Sequence, residues 1–509
     1  MTQRSLRPLV LTLLFTTLGF LVMGYHPGME DDAVYLAAVK ADLQPALFPH
    51  NAGFIRLQLR LTVFDTWMAH FVTITHIPLP WAELFWQLVS LFLILWAARQ
   101  IAAHLFAEPS AQWAGVAMLS AMFTLPVAGT ALIVVDQHLH PRNIATALIL
   151  LAVSSILERK GWRAIPLLVL ACALHPIMGV MGISFSFFLA FTLSRPIQTQ
   201  AGASPHHPES LAAPAIAIPA IAILPAVALA NPFSWIFQPP SPTWLEALNS
   251  RHWFRLYDWE WYEWLGAIGP LVIFWIIARI ARKRGEIVLS RFATAVFIYG
   301  IFQQAVAMIL LGPKALIVLS ALEPMRYLHL VYIFLTLIGG CYAGRYLLKS
   351  SIWRWAVFLL ILNAPMYYVQ RQLFANTVHL ELPNTPPSSA WLQAFDYIKH
   401  STPTGAYFAL DPKYLAADGE DYHGFRALAE RSSLADSIKD TSVVTKVPQL
   451  GPDWKQQTLA QAGWSHFQLA DFERLKSQFG VDWVLIAYPQ SVPLDCHWHN
   501  ATLAVCQIP

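Results

Sequence analysis

The chain has 509 residues, of which 56% are hydrophobic and only 12% charged, with a mean hydropathy of +0.48. Soluble domains carry about 25% charged residues, so this composition excludes a soluble enzyme, a coiled coil and a disordered chain. The net charge of +3 is too small for a nucleic-acid binder, and no nucleic-acid partner is expected.

Apolar blocks of roughly 17–22 residues recur along the chain, each long enough to cross about 30 Å of hydrocarbon. The first, Pro8–Gly24, follows Arg4 and Arg7, which put the N-terminus in the cytoplasm by the positive-inside rule. Gly24-Tyr25-His26-Pro27 is a poor signal-peptidase site, so a retained helix is expected. A first external loop then covers 25–80. Within it Phe54–Phe71 mixes Arg56, Arg60 and Asp65 with Leu57, Leu61, Phe64 and Met68, the pattern of a helix lying in the outer interface. Further spans are expected at Trp81–Leu105, Trp113–Val135 and Asn143–Leu157, followed by the basic turn Glu158–Arg163.

Ala164–Leu193 decides the topology. As one helix it places Arg279, Arg282, Lys283 and Arg284 outside, against the positive-inside rule. Broken at Leu174-His175-Pro176, it returns every basic cluster to the cytoplasm. Pro176 favours the break because it disfavours helix at His175 and removes a backbone donor. The first half, about 11 residues or roughly 17 Å, is too short to cross. Non-helical backbone at that depth is tolerated only within protein or beside a water-filled cavity.

Ser194–Ser210 reads as a polar linker, and spans follow at Leu211–Ala230, Gly266–Ile280, Ile287–Leu311, Met325–Leu347 and Trp353–Leu373. The external loop Asn231–Trp264 holds Trp235, Trp244, Trp253, Trp259, Trp261 and Trp264, which suggests an interfacial aromatic shelf able to admit a lipid tail from the side. The expected total is about 11 transmembrane helices, forming a membrane domain over 1–382. From Pro383 the composition is that of a small extramembrane α/β domain, 383–509. Trp391–His400 and Phe467–Phe479 read as helices; Ala406–Leu410, Val481–Ile486 and Thr502–Val505 read as strands. Cys496 and Cys506 bracket a turn and suit a disulfide in an oxidising external compartment.

Ionisable groups at one membrane face are costly and usually functional. Glu30-Asp31-Asp32 are adjacent acids that need a counter-charge, a cation or a raised pKa. Asp136-Gln137-His138-Leu139-His140-Pro141-Arg142 places an acid, two imidazoles and a guanidinium in one outer turn. His175 sits at the helix break, Lys314 in an apolar re-entry, and Arg326 and His329 one turn apart at the start of a late helix. Asp31 and Asp32 are candidates for a general base. Arg142, His175, Lys314, Arg326 and His329 are candidates for holding a lipid phosphate. Glu30, Asp136, His138 and His140 are candidates for a divalent cation, magnesium or manganese.

A retained first helix, a long external loop with adjacent acids, broken helices and an external C-terminal domain together resemble the GT-C superfamily of integral membrane glycosyltransferases. Gly424-Phe425-Arg426-Ala427-Leu428-Ala429-Glu430-Arg431-Ser432 is similar to the C-terminal part of bacterial members without an assigned reaction. The resemblance implies a sugar donor linked to polyprenyl phosphate and an acid in the first external loop, Asp32 by a narrow preference or Asp31, acting as base or metal ligand. It also implies a basic residue, Arg326, near the lipid phosphate. There is no W-W-D-Y-G signature, and the acceptor stays open. The expected place is the inner (cytoplasmic) membrane, with the C-terminal domain periplasmic. The alternatives are a transporter or flippase of lipid-linked intermediates, which inverted repeats would favour and none is found, or a non-catalytic envelope-assembly protein.

Overall fold

A computed structural model describes residues 3–60, 62–195, 239–416, 423–489 and 492–509. Among the described residues seven helices are long and apolar enough to cross a membrane. They are α1 (Gln3–Met23), α5 (Leu79–Leu105), α9 (Pro176–Ser194), α11 (Trp261–Lys283), α12 (Ile287–Leu311), α13 (Tyr327–Ala343, lengthened by single turns at both ends) and α14 (Ile352–Leu373). Two shorter apolar helices, α7 (Pro141–Leu157) and α8 (Ala164–Leu174), accompany them. The chain is therefore a multi-pass α-helical membrane protein. The span expected at Leu211–Ala230, most of the linker before it and Trp235 lie outside the described residues.

The third expected span is corrected. Instead of one helix over Trp113–Val135, a 13-residue helix α6 (Pro109–Ala121) is followed by a small antiparallel hairpin, β1 (Pro126–Val127) with β2 (Leu132–Ile133). Pro126 removes a donor, and Gly129 takes a positive φ, so helix does not continue through this stretch. The amphipathic stretch of the first loop is also two helices, α3 (Gly53–Leu59) and α4 (Phe64–Thr75), not one. Before them α2 (Asp32–Leu43) packs against α4.

The helix break stands where the sequence put it. His175 is extended (φ −149°, ψ 90°), ending α8 and capping α9. The freed carbonyls at the end of α8 are met by the first external loop: the Thr62 hydroxyl donates to Leu174 O at 2.6 Å and the Val63 amide to Ala173 O at 3.1 Å. A helix end inside a protein needs such partners. At the opposite end of the bundle, Arg345 bridges Glu108 (2.9 Å) and Glu286 (2.5 Å), and Arg291 donates to Leu193 O. That is the end the positive-inside rule assigns to the cytoplasm. Helices α6 and α13 approach closely because Gly340 and Gly344 carry no Cβ; one there would lie 2.5 Å from Ala114 O and 2.3 Å from Ser110 O.

Short helix α10 (Pro242–Asn249) lies in the Trp-rich loop. That loop is not a uniform lipid shelf: Trp244 and Trp259 are buried in protein contacts, whereas Trp261 is 73% exposed.

The C-terminal part has a mixed five-stranded sheet in the order β4-β3-β5-β7-β6, from β3 (Tyr407–Leu410), β4 (Ser432–Ser433), β5 (Trp483–Ala487), β6 (Asp495–His499) and β7 (Leu503–Gln507). Strand β3 is parallel to β4 and β5; β5–β7 and β7–β6 are antiparallel. Its helices are α15 (Ala390–Ser401), α16 (Phe425–Ala429), α17 (Lys439–Lys446), α18 (Gly451–Ala460) and α19 (Leu469–Phe479). Cys496 and Cys506, cross-strand neighbours, are disulfide-bonded.

Apolar clusters join this part to the first loop. One contains Val34, Phe54, Ala247, Val443, Val444 and Trp454. Another joins Leu36, Ala37 and Phe48 to Ala427. Gly424 makes the closest approach: a Cβ on it would lie 2.3 Å from Ala33 Cβ and 2.7 Å from its Cα. Gly424→Ala is expected to lower stability by about 1–3 kcal/mol, because helix backbone cannot give way as a side chain can. Thermal unfolding in detergent checks it; an unchanged midpoint would show that the docking tolerates the methyl group.

Arg426 and Arg431, in the segment used for the resemblance, have structural contacts. Arg426 pairs with both carboxylate oxygens of Asp440 at 2.7 and 2.8 Å, and Arg431 donates to Lys399 O and Thr402 O.

Candidate functional site

The outer turn between β2 and α7 is held rigidly before any chemistry is considered. The Asn143 side chain accepts from the Asp136 amide (3.1 Å) and donates to the Asp136 and His138 carbonyls (3.2 Å each). Gln87 of α5 donates to Asp136 O at 2.8 Å. Gln137 reaches Met23 O at the end of α1 and Gln370 of α14. His140 caps α7: its Nδ1 accepts from the Arg142 amide at 2.9 Å, which leaves Nε2 to carry the proton.

That Nε2 lies 3.7 Å from Asp31 Oδ2. Asp31 Oδ1 lies 3.3 Å from Lys439 Nζ, and Lys439 also pairs with Glu30. The 25–80 loop, the turn between β2 and α7, and α17 of the C-terminal part thus meet at one carboxylate. The Asp31 side chain is 44% exposed. Burial alone would raise its pKa; Lys439, His140 and Arg142 outweigh that and hold it well below the ordinary carboxylate value.

Asp32 differs from its neighbour. It is 2% exposed and accepts from the Gly28 amide at 2.6 Å. Burial pushes its pKa up to about 7, against lowering by Gly28, His140 and Lys40. A free Asp loses its proton near 3.8, so between about 4 and about 7 the folded state binds the extra proton and stability falls as pH rises. Asp32→Asn keeps an acceptor for Gly28 and removes this slope. Its melting temperature is expected to match the wild type near pH 4 and exceed it at pH 8; equal pH dependence would refute the assignment.

Around Asp31 burial favours the uncharged form of the imidazoles. The His138–His140 and His140–His175 ring centroids are 5.8 and 5.9 Å apart. Burial drives the pKa of His138 and of His140 down to about 4, although Asp136 and Asp31 oppose it. His175 Nδ1 accepts from the Met178 amide. His329 Nε2 donates to Val134 O at 2.8 Å.

The guanidinium groups are already engaged. Arg142 grips both oxygens of Asp136, Nε to Oδ2 at 3.0 Å. Burial would raise the Asp136 pKa, but Arg142, His140 and His138 bring it to about 2. Arg326 pairs with Glu323, and Lys446 of α17 lies 3.1 Å from the same carboxylate. Arg251 feels Asp31, Glu323 and Glu30, and Glu323 feels Asp31. One electrostatic neighbourhood therefore holds Glu30, Asp31, Asp136, His138, His140, Arg142, His175, Arg326 and His329, with Asp32 behind it. Lys314 is the exception: it is exposed and sits over the Tyr257 ring at 5.4 Å.

Lys439, Lys446 and Arg251 join this neighbourhood unannounced by the sequence. Each is a solitary basic residue far along the chain from the acids it meets.

His138 is fully buried, and neither ring nitrogen has a hydrogen-bond partner among the described residues. Its ring feels Asp136, Asp31 and Glu30 electrostatically, but Asp31 and Glu30 are held by Lys439 and Asp136 has both oxygens on Arg142, so these residues do not form a ready cation site.

A cavity of about 440 Å³ lies elsewhere, on the Leu36–Lys40–Leu43 face of α2, and takes in Tyr25, Glu83 and Glu381. The acid–imidazole neighbourhood does not line it. Volume alone would favour this cavity, but convergent titratable groups favour the neighbourhood of Asp31.

No family model matches the chain, and no curated protein does. Among solved structures, the archaeal oligosaccharyltransferase AglB from Archaeoglobus fulgidus, in complex with an inhibitory peptide and a dolichol-phosphate, is similar to it. The likeness covers 96% of this chain and 70% of that one, at 12% identity and a TM-score of 0.45.

Proposed function

We propose that the chain is an integral membrane glycosyltransferase of the GT-C type. It would move a sugar from a polyprenyl-phosphate carrier to an acceptor hydroxyl on the external face. The observation that carries this is the meeting around Asp31 of a carboxylate, imidazoles and several cations, drawn from six distant stretches of chain. These are the groups that proton removal and phosphate departure require.

Asp31 takes the proton of the acceptor hydroxyl as its oxygen attacks the anomeric carbon. The bond from that carbon to the phosphate oxygen breaks, and polyprenyl phosphate leaves with the electron pair. A carboxylate with a lowered pKa is a weak base, yet phosphate is a stable anion and little proton abstraction is needed ahead of bond cleavage. His140 Nε2–H orients Asp31. Arg326, Arg142 and Lys446, once their present carboxylate partners share them, and Arg251, which donates to Ile438 O, are the cations available to the departing phosphate. Asp32 fixes the start of α2 through Gly28. A divalent cation, magnesium or manganese, would add positive charge where the phosphate leaves; His138, Asp31 and Glu30 would hold it only once Lys439 releases the two carboxylates.

The N-terminus is cytoplasmic in this proposal. Asp31 and residues 383–509 face the outside of an inner membrane, where the Cys496–Cys506 disulfide is stable. Purified protein in liposomes, given radiolabelled polyprenyl-phosphate sugars, tests it. Time-dependent loss of label from the lipid into an acceptor supports transfer. Movement of intact lipid-linked sugar across the bilayer without bond cleavage would instead establish the transporter alternative.

A further inference from the structure

A second group of side chains converges at a buried junction that the sugar-transfer proposal does not use. His26 follows α1, Glu381 follows α14, and His423 precedes α16. His26 Nδ1 lies 2.6 Å from Glu381 Oε1 and His423 Nε2 lies 3.0 Å from Glu381 Oε2. One ligand atom from each residue falls within 4.8 Å of the others. The imidazoles are 0% and 2% exposed and the carboxylate 12%.

The backbone fixes all three independently of their side chains. Tyr25 bridges Leu380 and Met29 bridges His423. The Glu381 amide donates to Tyr25 O at 2.9 Å, and the His26 amide to Gln137 O at 2.9 Å. Phe374 stacks on the His26 ring at 4.0 Å. Two imidazoles and a carboxylate are thus pre-placed in a largely buried pocket at the edge of the α2 cavity, the arrangement a metal site needs before the ion arrives.

We propose that His26, Glu381 and His423 bind a first-row divalent ion, zinc by ligand type, which clamps the end of α1 to the C-terminal part. The clamp adjoins the segments around Asp31: His26 bonds Gln137, beside Asp136 and His138, and the Met29–His423 bridge immediately precedes Glu30-Asp31. It stands whether or not the protein transfers sugar.

The full-length protein is purified in detergent with magnesium present, loaded with zinc, freed of excess by gel filtration and analysed for metal. The expected result is one zinc per chain in the wild type, in Asp31→Asn and in His138→Ala. His423→Gln keeps an amide N–H for Glu381 but is a poor ligand, and should fall to background while eluting as a folded protein. His423→Cys, a stronger zinc ligand, should restore the ion. A chelator should lower the melting temperature of the wild type and leave that of His423→Gln unchanged. A wild type without zinc after loading, or His423→Gln holding as much as wild type, would reduce the group to a hydrogen-bonded triad and overturn the proposal.

Discussion

Asparagine at position 31 is expected to lower sugar transfer by about 10²–10⁴-fold while leaving the fold intact. The Asp31 side chain is part-exposed, so its replacement creates no buried defect. The amide retains an oxygen for Lys439 and His140, now 3.3 and 3.7 Å from the carboxylate, but it cannot accept the acceptor's proton. The lost interaction belongs to the transition state, so kcat should fall more than KM rises. Asp32→Asn should have a much smaller effect, because Asp32 is buried against Gly28. Rates from the liposome assay, with gel filtration as the folding control, decide it. Activity of Asp31→Asn within about tenfold of wild type would remove Asp31 from the chemistry. An envelope phenotype untouched by changing Asp31 and Asp32 together would favour a scaffold.

Replacing Asp136 by alanine is expected to destabilise the protein by about 3–5 kcal/mol. Arg142 is almost completely buried and its Nη1 has no hydrogen-bond partner among the described residues. Without Asp136 an unpaired guanidinium remains in a water-poor site, which is far worse than losing the pair altogether. Arg142→Met in the same chain should therefore recover most of the loss, since both charges are then gone. Unfolding midpoints of both single variants and the double variant form the cycle. A single variant within about 1 kcal/mol of wild type would show that water reaches Arg142. Were the single variants as stable as wild type yet inactive, the ion pair would belong to substrate binding rather than to the scaffold.

The spans were legible because burial in hydrocarbon imposes length and apolarity on each helix locally, and seven long helices follow from that rule alone. The break at His175-Pro176 was legible for the same reason: a missing amide and a crowded preceding residue act within a single turn. The third span failed because hydropathy does not register how Pro126 and Gly129 turn a chain. The Trp-rich loop misled because tryptophan serves protein cores as well as interfaces. In the C-terminal part β3, β5, β7, α15 and α19 could be read from alternation and helical spacing, with boundaries shifted by a residue or two, whereas β4, β6, α16, α17 and α18 were missed.

The candidate site divides in the same way. The acids at 30–32, the turn at 136–142, His175 and Arg326 could be picked out because charge in apolar sequence is conspicuous. Sequence narrowly preferred Asp32 as the base; the proposal moves that role to Asp31, because the fold buries Asp32 against Gly28 and leaves Asp31 part-exposed. Glu323 as the partner of Arg326 was visible at helical spacing, whereas Lys446 as a second partner was not.

What the amino-acid sequence determined by itself was the solvent of each segment: which stretches lie in hydrocarbon, where a helix must stop, and which charges are too costly to be idle. Only the tertiary structure decided who meets whom. Lys439 reaches Asp31 from about 400 residues away, and Glu381 joins His26 to His423, because long-range pairing is set by packing of elements whose local sequences carry no record of one another.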